Sequence, residues 1–504
     1  MEILTRVLPD NVREFGEYPY LYDGHRVYTN REVLNESEQL ARILTARGLK
    51  TGDRVLVSMP NRPEVLFIYQ AVMLAGAIVV PVLFMLGVEE MTHIIEDAEP
   101  RAIFTDIVTA EKIAEAVKKS GRAPDLWSVD DGPPGFLRAN DFRLPSATHE
   151  LGAVSEGDIA VILYTSGTTG TPKGVMLTHK NLYANARQVR ESSDLGDRSV
   201  TLGVLPLAHI FGFTVSTITA MVGGSVVVFR KFEVQEVFAA IERHRVRTFS
   251  AVPAMLYAMV TSPLASQYDL SSLETVSSGS APCPVTLIEA FQERFHADVL
   301  EGYGLSEAAP VVSGHRRGMP IKPGTVGVLV SGVEARILDR GGNAMPSGEV
   351  GELWVRGDNI TPGYYRNSKA TEEVLDEGWL ATGDLARMDA DGYLSIVDRK
   401  KDLIIRGGYN IYPRDVEEVL LRHPAIAEAA VIGVPSERLG EEPLAFVVPR
   451  SGRPIDEEEV IAFARTTLAH YKVPRHIMVV DSLPRNGVGK VLKKTLREWA
   501  SDSE

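Results

Sequence analysis

The first 320 residues or so alternate between short β-rich apolar runs and segments with helical periodicity. The β-rich runs are RVLVSM (54–59), AIVVPV (77–82), RAIFT (101–105), DIAVILY (158–164), SVVVF (225–229) and RTFSAV (247–252). Such runs, with helices between them, build parallel sheets, because a parallel strand needs a long crossover connection. The alternation therefore predicts an α/β region with parallel sheets and crossover helices, which extends to about residue 320.

Two uncharged stretches in this region, residues 65–88 and 211–229, are long enough to cross a bilayer. Glycine interrupts both of them, and Pro81 also interrupts the first. Each stretch ends in a β-rich run, so a buried helix followed by a buried strand fits better than a membrane span. The N-terminus lacks the apolar core of a signal peptide. We therefore expect a soluble, cytoplasmic protein.

Charge and cysteine content exclude several classes of function. A net charge of −14 argues against a nucleic-acid-binding protein, which needs a basic stripe. Small anionic ligands stay open, because a local cluster of Lys and Arg can hold them. The single cysteine, Cys283, excludes an intramolecular disulfide and a Cys-rich zinc site, and we interpret it as a small apolar core residue.

The character of the chain changes after the α/β region. Residues 324–397 contain short strands separated by turns, including VEARIL, GELWVRG and GYLSIV, which predict a small antiparallel barrel or sheet. Residues 398–410 carry charge and two glycines, as a linker or hinge does. We expect an N-terminal domain at 1–397 (with the barrel at about 321–397), a hinge at 398–402 and an α+β C-terminal domain at 403–504.

Residues 164–175 read YTSGTTGTPKGV and have the composition of a phosphate-binding loop. Hydroxyl groups and flexible glycines let side chains and backbone amides face an anion, and Lys173 adds a positive charge. The loop is not a Walker A motif, because Lys173 follows Pro172 and precedes Gly174. From these residues alone the loop binds phosphates or, as the alternative, is a polar turn without a ligand.

Six further stretches extend the pattern beyond this loop. They are PLAHIFG (206–212), SSGSAPCP (277–284), EGYGLSEA (301–308), WLATGD (379–384), DRKKDLIIRGG (398–408) and PRNGVGK (484–490). With these stretches the chain resembles, over nearly its whole length, the adenylate-forming enzymes, and among them the acyl-CoA synthetases. Luciferase and the adenylation domains of peptide synthetases belong to the same superfamily.

The resemblance implies both a fold and a reaction. The fold is a large N-terminal domain of two α/β subdomains and a small β-barrel, followed by a small mobile α+β C-terminal domain. In the reaction, a carboxylate attacks the α-phosphate of MgATP to give an acyl-adenylate and pyrophosphate. A thiol, commonly that of coenzyme A, then displaces AMP.

The resemblance also assigns residues to the nucleotide. The loop would hold the β- and γ-phosphates, Tyr303 would stack on adenine, Asp384 would bind the ribose hydroxyls, and Ser306 would contact the α-phosphate. The full set implied for ATP and AMP is Thr165, Ser166, Gly167, Thr168, Thr169, Gly170, Lys173, Gly279, Ser280, Ala281, Glu301, Gly302, Tyr303, Ser306, Asp384 and Arg399.

Three residues match catalytic positions of the family. Lys490 would bridge the carboxylate and the α-phosphate and offset their negative charge. Glu307 would bind Mg²⁺ together with phosphate oxygens. His209 would shape the acyl site, although a histidine in an apolar stretch is also a common core residue.

The resemblance further implies a domain rotation about Lys401, which would exchange Lys490 for the loop at Gly407 and Gly408. That loop would line the tunnel for coenzyme A, and Lys231 is a candidate contact for a CoA phosphate. We expect Lys493 and Lys494, on the last helix, to face water.

The expected acyl pocket contains no cation, so a second carboxylate on the substrate would lack a partner. Gly302 and Gly304 stand where malonate-type and acetate-type relatives carry Arg and Trp, which favours a medium- or long-chain fatty acid. An aryl acid of the cinnamate or benzoate type is the runner-up, and a carrier protein is an alternative acceptor to CoA. The pocket residues are His209, Phe211, Phe213, Val215, Gly279, Gly302, Gly304 and Val311.

Residues 83–86, LFML, depart from the family, which usually has Asn-Pro and polar residues there. One hypothesis is an exposed apolar patch that receives a substrate from a membrane or a partner. The alternative is packing between subdomains.

Overall fold

The two long uncharged stretches each form a buried helix that leads into a buried strand. The computed structural model describes residues 2–138, 151–165, 172–192, 198–450, 452–485 and 490–501. The first stretch forms helix Pro63–Leu74 and strand Ile78–Pro81, and the second forms helix Ile210–Met221 and strand Ser225–Val228. Both strands pair in parallel with their neighbours. Across the described ranges, we find no helix with the length and apolar character that a membrane crossing requires.

A mainly parallel sheet forms the first α/β layer. The strands β9, β8, β4, β3, β5, β6 and β7 lie side by side in that order, and only β9 is antiparallel to its neighbour β8. The elements of this part of the chain are α1 (Val7–Phe15), β1 (Pro19–Asp23), β2 (Arg26–Thr29), α2 (Asn30–Ala46), β3 (Arg54–Ser58), α3 (Pro63–Leu74), β4 (Ile78–Pro81), α4 (Val88–Ala98), β5 (Ala102–Thr105), α5 (Ala110–Ser120), β6 (Asp125–Ser128), β7 (Leu137–Arg138), β8 (Ile159–Thr165), β9 (Lys173–Thr178) and α6 (His179–Ser192).

The second α/β layer contains two further sheets. Strands β10, β11 and β1 are parallel and end in the β1–β2 hairpin, whereas parallel β12, β13 and β14 continue into antiparallel β15 and β16. The elements are β10 (Val200–Gly203), α7 (Ile210–Met221), β11 (Ser225–Val228), α8 (Val234–His244), β12 (Thr248–Ala251), α9 (Pro253–Thr261), β13 (Thr275–Ser278), α10 (Val285–Phe295), β14 (Asp298–Gly304), β15 (Val311–Gly314) and β16 (Val328–Leu329).

The turn-rich segment forms an antiparallel sheet in the order β17, β18, β21, β20, with β22 added beside β21. One strand of this segment, β19, leaves it and pairs with β9 of the first layer. Strand β22 includes Asp398 and Arg399, so two of the expected hinge residues belong to the sheet. The elements are β17 (Glu334–Leu338), β18 (Gly351–Arg356), β19 (Gly363–Tyr364), α11 (Ser368–Glu372), β20 (Leu375–Asp376), β21 (Trp379–Met388) and β22 (Leu394–Arg399).

The C-terminal segment has its own sheet, in the order β24, β23, β26, β25, with β27 parallel to β26, and its own buried core. The elements are β23 (Ile404–Arg406), β24 (Tyr409–Ile411), α12 (Pro413–Leu420), β25 (Ile426–Ser436), β26 (Gly440–Pro449), α13 (Glu457–Thr467), β27 (His476–Val479) and α14 (Lys493–Ser501). The mixed α/β fold predicted from the alternating pattern is confirmed.

Candidate active site

A cavity of about 950 Å³ lies at the carboxyl ends of β8, β13 and β14. Ligands commonly bind at this end of parallel strands, because the loops there diverge and leave a crevice. Each of the seven sequence stretches identified above contributes at least one lining residue. The fold therefore brings together stretches that are separated by more than 300 residues in the sequence.

Asp384 is the buried anion at one end of this cavity. The Tyr303 hydroxyl donates to its Oδ2 at 2.5 Å, and the Arg399 Nε lies 3.5 Å from its Oδ1. Asp384 and Arg399 are register partners on β21 and β22, so strand pairing sets their approach. Burial beside Asp384 keeps the pKa of Tyr303 well above its usual value, so the hydroxyl remains a donor.

Lys490 lies at the same end of the cavity. Burial lowers its pKa to about 8, and the nearby positive charges of Arg399 and Lys401 act in the same direction. The carboxylates of Asp384 and Asp402 oppose this shift. The ammonium group therefore stands in a site where a further negative charge would stabilise it.

Tyr364 joins two residues that the motifs had singled out separately. Its hydroxyl donates to Glu307 Oε1 at 2.9 Å, and the Lys173 ammonium lies 5.3 Å from the centre of its ring. Strand β19 positions Tyr364 by pairing it with Val175 on β9, two residues after Lys173. Tyr364 was not predicted, because no local pattern marks it and the contact depends on a strand that joins a distant sheet.

His209 caps the N-terminus of α7. Its Nδ1 accepts a hydrogen bond from the backbone N–H of Phe211 at 3.3 Å, which puts the ring proton on Nε2. Burial lowers the pKa of His209 to about 4, so the ring is neutral at pH 7. The histidine therefore lines the cavity as an uncharged group and also stabilises the helix start.

Glu301 is buried at the cavity wall. Desolvation raises the pKa of its carboxyl group to about 7, although Arg414 of the C-terminal segment opposes the shift. The carboxyl group is thus close to half protonated at neutral pH. Such a group is sensitive to any ligand or domain movement that changes its surroundings.

Two glycines at the cavity lie in close contacts. A Cβ atom at Gly279 would lie 3.2 Å from the Phe211 ring, and one at Gly304 would overlap the carbonyl oxygen of Pro310. Gly304, which favours a longer acid in the sequence analysis, lines the cavity and is also required by the backbone contact. Its missing side chain permits the close approach of β14 to the Pro310 backbone, and a side chain there would first displace that backbone.

A channel continues from the cavity along helix α7. One face of α7 lines it, because positions three, four, seven and eight residues apart share a helix face. The opposite wall is the face of β12, β13 and β14 that points away from the core residues Phe249, Val276 and Val299. The lining residues on this face are Phe211, Thr214, Val215, Ile218 and Thr219 of α7 and Val222 directly after it.

Phe213 does not line this channel, contrary to the sequence-based expectation. It lies two residues from Phe211 and Val215, so the helix points it to the opposite face, where its ring centre is 5.7 Å from that of Tyr69. Ala281 is also absent from the cavity lining, which ends at Ser280 in that loop.

Five of the expected nucleotide contacts lie outside the described part of the chain. Ser166, Gly167, Thr168, Thr169 and Gly170 fall outside the described residues; the flanking Thr165 and Lys173 line the cavity and are register partners on β8 and β9.

The residues expected to contact CoA are on the surface in this structure. Lys231 is 77% exposed and forms an ion pair with Glu233. Gly407 and Gly408 form an exposed turn between β23 and β24, with positive φ values of 56° and 86°. Lys401 is exposed next to the end of β22 and does not line the cavity.

Lys493 corrects another expectation, because it does not face water. Its ammonium lies 3.0 Å from Glu417, and the carboxylates of Asp398 and Asp402 help to raise its pKa despite burial. Lys494 is 78% exposed, as expected. The amphipathic pattern of α14 turns one lysine inward and the next outward, and only the packing of α14 on β25, with the ion pair to Glu417 on α12, decides which.

Residues 83–86 form part of the cavity wall. Leu83, Met85 and Leu86 line it, although Met85 is also 48% exposed. The Lys112 ammonium donates to the carbonyl oxygens of Phe84 at 2.8 Å and Leu86 at 3.0 Å, which fixes the segment to helix α5. The segment therefore has an internal packing role; its contact with a membrane stays a hypothesis.

Comparison with known proteins agrees with the assembled site. The model of the AMP-binding enzyme family matches residues 8–365, and that of the AMP-binding enzyme C-terminal domain matches residues 415–490. The chain belongs to the AMP-binding enzyme family. The protein is an AMP-forming acid–CoA ligase that works through an acyl-adenylate, with ATP and CoA as substrates.

The relatives differ in the acid that their names give. A feruloyl-CoA synthase of Amycolatopsis sp. is 39% identical over 94% of this chain and 94% of its own length. A long-chain-fatty-acid–CoA ligase of Bacillus subtilis (strain 168) is 35% identical over 99% of this chain and 95% of its own. ATP-bound MatB from Rhodopseudomonas palustris has 31% identity and a TM-score of 0.92, over 100% of this chain and 99% of that structure.

Proposed function

We propose that this family member activates a medium- or long-chain fatty acid and transfers it to CoA. The observation that carries this proposal is the channel along α7. It extends from Phe211 to Val222, eleven residues, which is about 16 Å at the rise of an α-helix. An extended chain advances about 3.5 Å for every three bonds, so this length accepts roughly fourteen bonds.

The nucleotide would occupy the Asp384 end of the cavity. Asp384 and Tyr303 supply an acceptor and a ring there, Arg399 supplies positive charge, and the backbone at Gly279 and Ser280 lines the opposite side. The ribose hydroxyls would donate to Asp384 in place of Tyr303. Thr165 and Lys173 would face the β- and γ-phosphates at the end of β8.

Glu307 would hold Mg²⁺ as the single protein carboxylate. In the described ranges, three or more His, Cys, Asp or Glu side chains do not converge on a point that could bind a metal. This fits Mg²⁺ bound to a nucleotide, which takes most of its ligands from phosphates and water. Bound there, the ion would neutralise charge on the phosphates of ATP, while Tyr364 holds the Glu307 carboxylate in position.

Lys490 would serve the first half-reaction. Two anions, the carboxylate and the α-phosphate, must approach each other, and a fixed positive charge between them lowers the barrier. The buried position of Lys490 makes this charge effective, because water screens it poorly. His209, neutral and at the start of the acyl channel, would position the carboxyl end of the acid.

A rotation about Lys401 would then remove Lys490 before CoA arrives. On the N-terminal side of Lys401, the Lys400 ammonium lies 2.8 Å from Glu352. On the C-terminal side, Asp402 lies 2.8 Å from Arg497 on α14. Lys401 is thus the residue between two anchored neighbours, and its rotation would bring the turn at Gly407 and Gly408 to the cavity.

An aryl acid is the second candidate. The 39% identity to a feruloyl-CoA synthase, over 94% of the chain, supports it. A rigid aryl acid would fill only the first part of the channel, whereas a long fatty acid would also occupy its far end.

The deciding experiment supplies MgATP and a pool of acids, from acetate to stearate with ferulate, coumarate and benzoate, with and without CoA. Mass spectrometry then identifies acyl-CoA, acyl-AMP and AMP. Preferred consumption of acids with ten or more carbons supports the first proposal; preferred consumption of aryl acids supports the second. An acyl-adenylate that CoA never consumes would point to a carrier protein as the acceptor.

Thr219→Phe tests the length argument separately. Thr219 lies eight residues beyond Phe211, about 12 Å along the helix, and an aromatic ring there would close the channel. We expect kcat/KM for dodecanoate to fall at least about tenfold while that for hexanoate is retained. Thr261→Phe is the matched control, because Thr261 is exposed on α9 and its hydroxyl donates four residues back, to Tyr257, as that of Thr219 does to Val215. An equal loss for both acids would contradict the channel.

A further inference from the structure

The channel wall formed by the sheet carries hydroxyl groups at two levels. On adjacent parallel strands, Ser250 and Ser277 are register partners at one level, and Thr248 and Thr275 are partners at the next. All four line the cavity. Side chains alternate along a strand, so these hydroxyls share one face of the sheet while Phe249 and Val276 fill the core on the other.

The two levels differ in how their hydrogen-bonding capacity is used. The Thr275 hydroxyl donates to Thr248 Oγ1 at 3.0 Å, and Thr201 donates to the Thr248 carbonyl oxygen at 3.2 Å. The hydroxyls of Ser250 and Ser277 have no hydrogen-bond partner within the described part of the chain. Both serines are partly exposed. Ser277 lies on β13, which has a neighbour on each side, and the channel accounts for its exposure.

Apolar side chains line the same channel. Phe211 and Val215 of α7 contribute to it, and Leu300 on β14 is the register partner of Ser277 on the sheet. A saturated alkyl chain in this channel would displace water from both hydroxyls and replace it with nothing polar, which is unfavourable. An acid with an oxygen atom at this level would satisfy them.

We propose that Ser250 and Ser277 form a subsite for an oxygen substituent, hydroxyl or oxo, on the acyl group of the substrate. This inference rests on the proposed function. Ser277 lies two residues before Gly279, about 7 Å along the strand, so the substituent lies partway along the acid and not at its carboxyl end. The same chemistry is available from a hydroxylated aliphatic acid or from a phenolic acid.

The test compares acids that differ only in oxygen. One arm measures kcat/KM for decanoate and for decanoates hydroxylated at successive carbons from C4 to C10. The other arm compares cinnamate with 4-hydroxycinnamate. We expect at least one hydroxylated acid to exceed its parent by about tenfold or more, and the arm that shows this identifies the source of the oxygen.

Serine variants assign the preference to the subsite. Ser250→Ala and Ser277→Ala should each reduce the ratio of kcat/KM for the hydroxylated acid to kcat/KM for its parent toward one. Ser266→Ala, at an exposed serine outside the cavity, should change neither value. Melting temperatures of all variants check that the fold is retained.

Each failure has a separate meaning. If no hydroxylated acid exceeds its parent, or if the preference survives in the Ser250→Ala, Ser277→Ala double variant, the subsite is refuted while the ligase function stands. If no acid in either arm yields acyl-CoA, the proposed function fails first.

Discussion

The lowered pKa of Lys490 predicts how the first half-reaction depends on pH. The charged ammonium is the form that would attract the carboxylate and the α-phosphate, so adenylation should decline as Lys490 loses its proton. Burial and the charges of Arg399 and Lys401 bring its pKa to about 8, against 10.5 for an ordinary lysine. This difference disfavours the charged form by about 3 kcal/mol.

The expected size of the effect follows from that value. With a pKa of about 8, roughly nine-tenths of Lys490 is charged at pH 7 and roughly one-tenth at pH 9. Because kcat/KM reports the ionisation of the free enzyme, kcat/KM for ATP should fall about tenfold between these two pH values. The charge of ATP would raise the pKa in the complex, so kcat should decline at a higher pH than kcat/KM.

The assay is acid-dependent exchange of pyrophosphate into ATP, which follows adenylation alone. Lys490→Arg is the informative variant, because arginine stays charged throughout the range. It should have lower activity but a flat profile from pH 7 to pH 9. Lys494→Arg, at an exposed position on the same segment, should keep the wild-type profile.

Two results would refute this reasoning. One is a wild-type profile that stays flat to pH 9.5, and the other is an alkaline decline of the same size in Lys490→Arg. As a further check, thioester formation from a supplied acyl-adenylate should lack the decline, because Lys490 would have left the site by then.

Three further predictions concern residues around the site. Tyr364→Phe keeps the ring beside Lys173 but removes the hydroxyl that donates to Glu307. The Mg²⁺ concentration needed for half-maximal MgATP binding, measured by calorimetry, should therefore rise several-fold. An unchanged Mg²⁺ requirement would exclude the positioning role of Tyr364. Burial raises the pKa of Glu301 to about 7, so folding favours its protonated form and stability declines as pH rises from about 4.5 to 7. Glu301→Gln should therefore stabilise the protein by up to about 3 kcal/mol at pH 8 and by little at pH 4 in urea denaturation, and the opposite order would contradict the shift. Lys493→Ala leaves the half-buried carboxylate of Glu417 without its cation and should lower the free energy of unfolding by about 1 to 3 kcal/mol. Lys494→Ala should lower it by less than about 0.5 kcal/mol in the same denaturation assay. Equal losses would show that α14 packs differently.

Part of the site could be predicted because short stretches of sequence carry their own chemistry. The residue types in these stretches suit their ligands: the loop that ends at Lys173 suits phosphate, Glu307 suits a metal ion, and Asp384 in WLATGD suits ribose hydroxyls. The family resemblance assigned these roles. Lys490 was assigned in the same way. Lys173, Glu307, Asp384 and Lys490 all line the same cavity.

Other features needed the folded chain, because they depend on which elements become neighbours. Tyr364 reaches Glu307 only because β19 leaves its own sheet and pairs with β9. Phe213 and Phe211 look alike in the sequence, yet the helix turns one into the core and the other into the channel.

The sequence by itself determined the classes of the elements and the list of chemical groups. Apolar periodicity and turn residues are local properties, so the alternation of helices and strands, the two buried helix–strand stretches and the separate C-terminal α+β unit could be read from it. Tertiary structure alone decided the pKa values of Lys490 and Glu301, the pairing of Ser250 with Ser277 and the length of the channel. Burial, strand register and the distance between charges arise only when distant segments meet, and these quantities set what the groups can do.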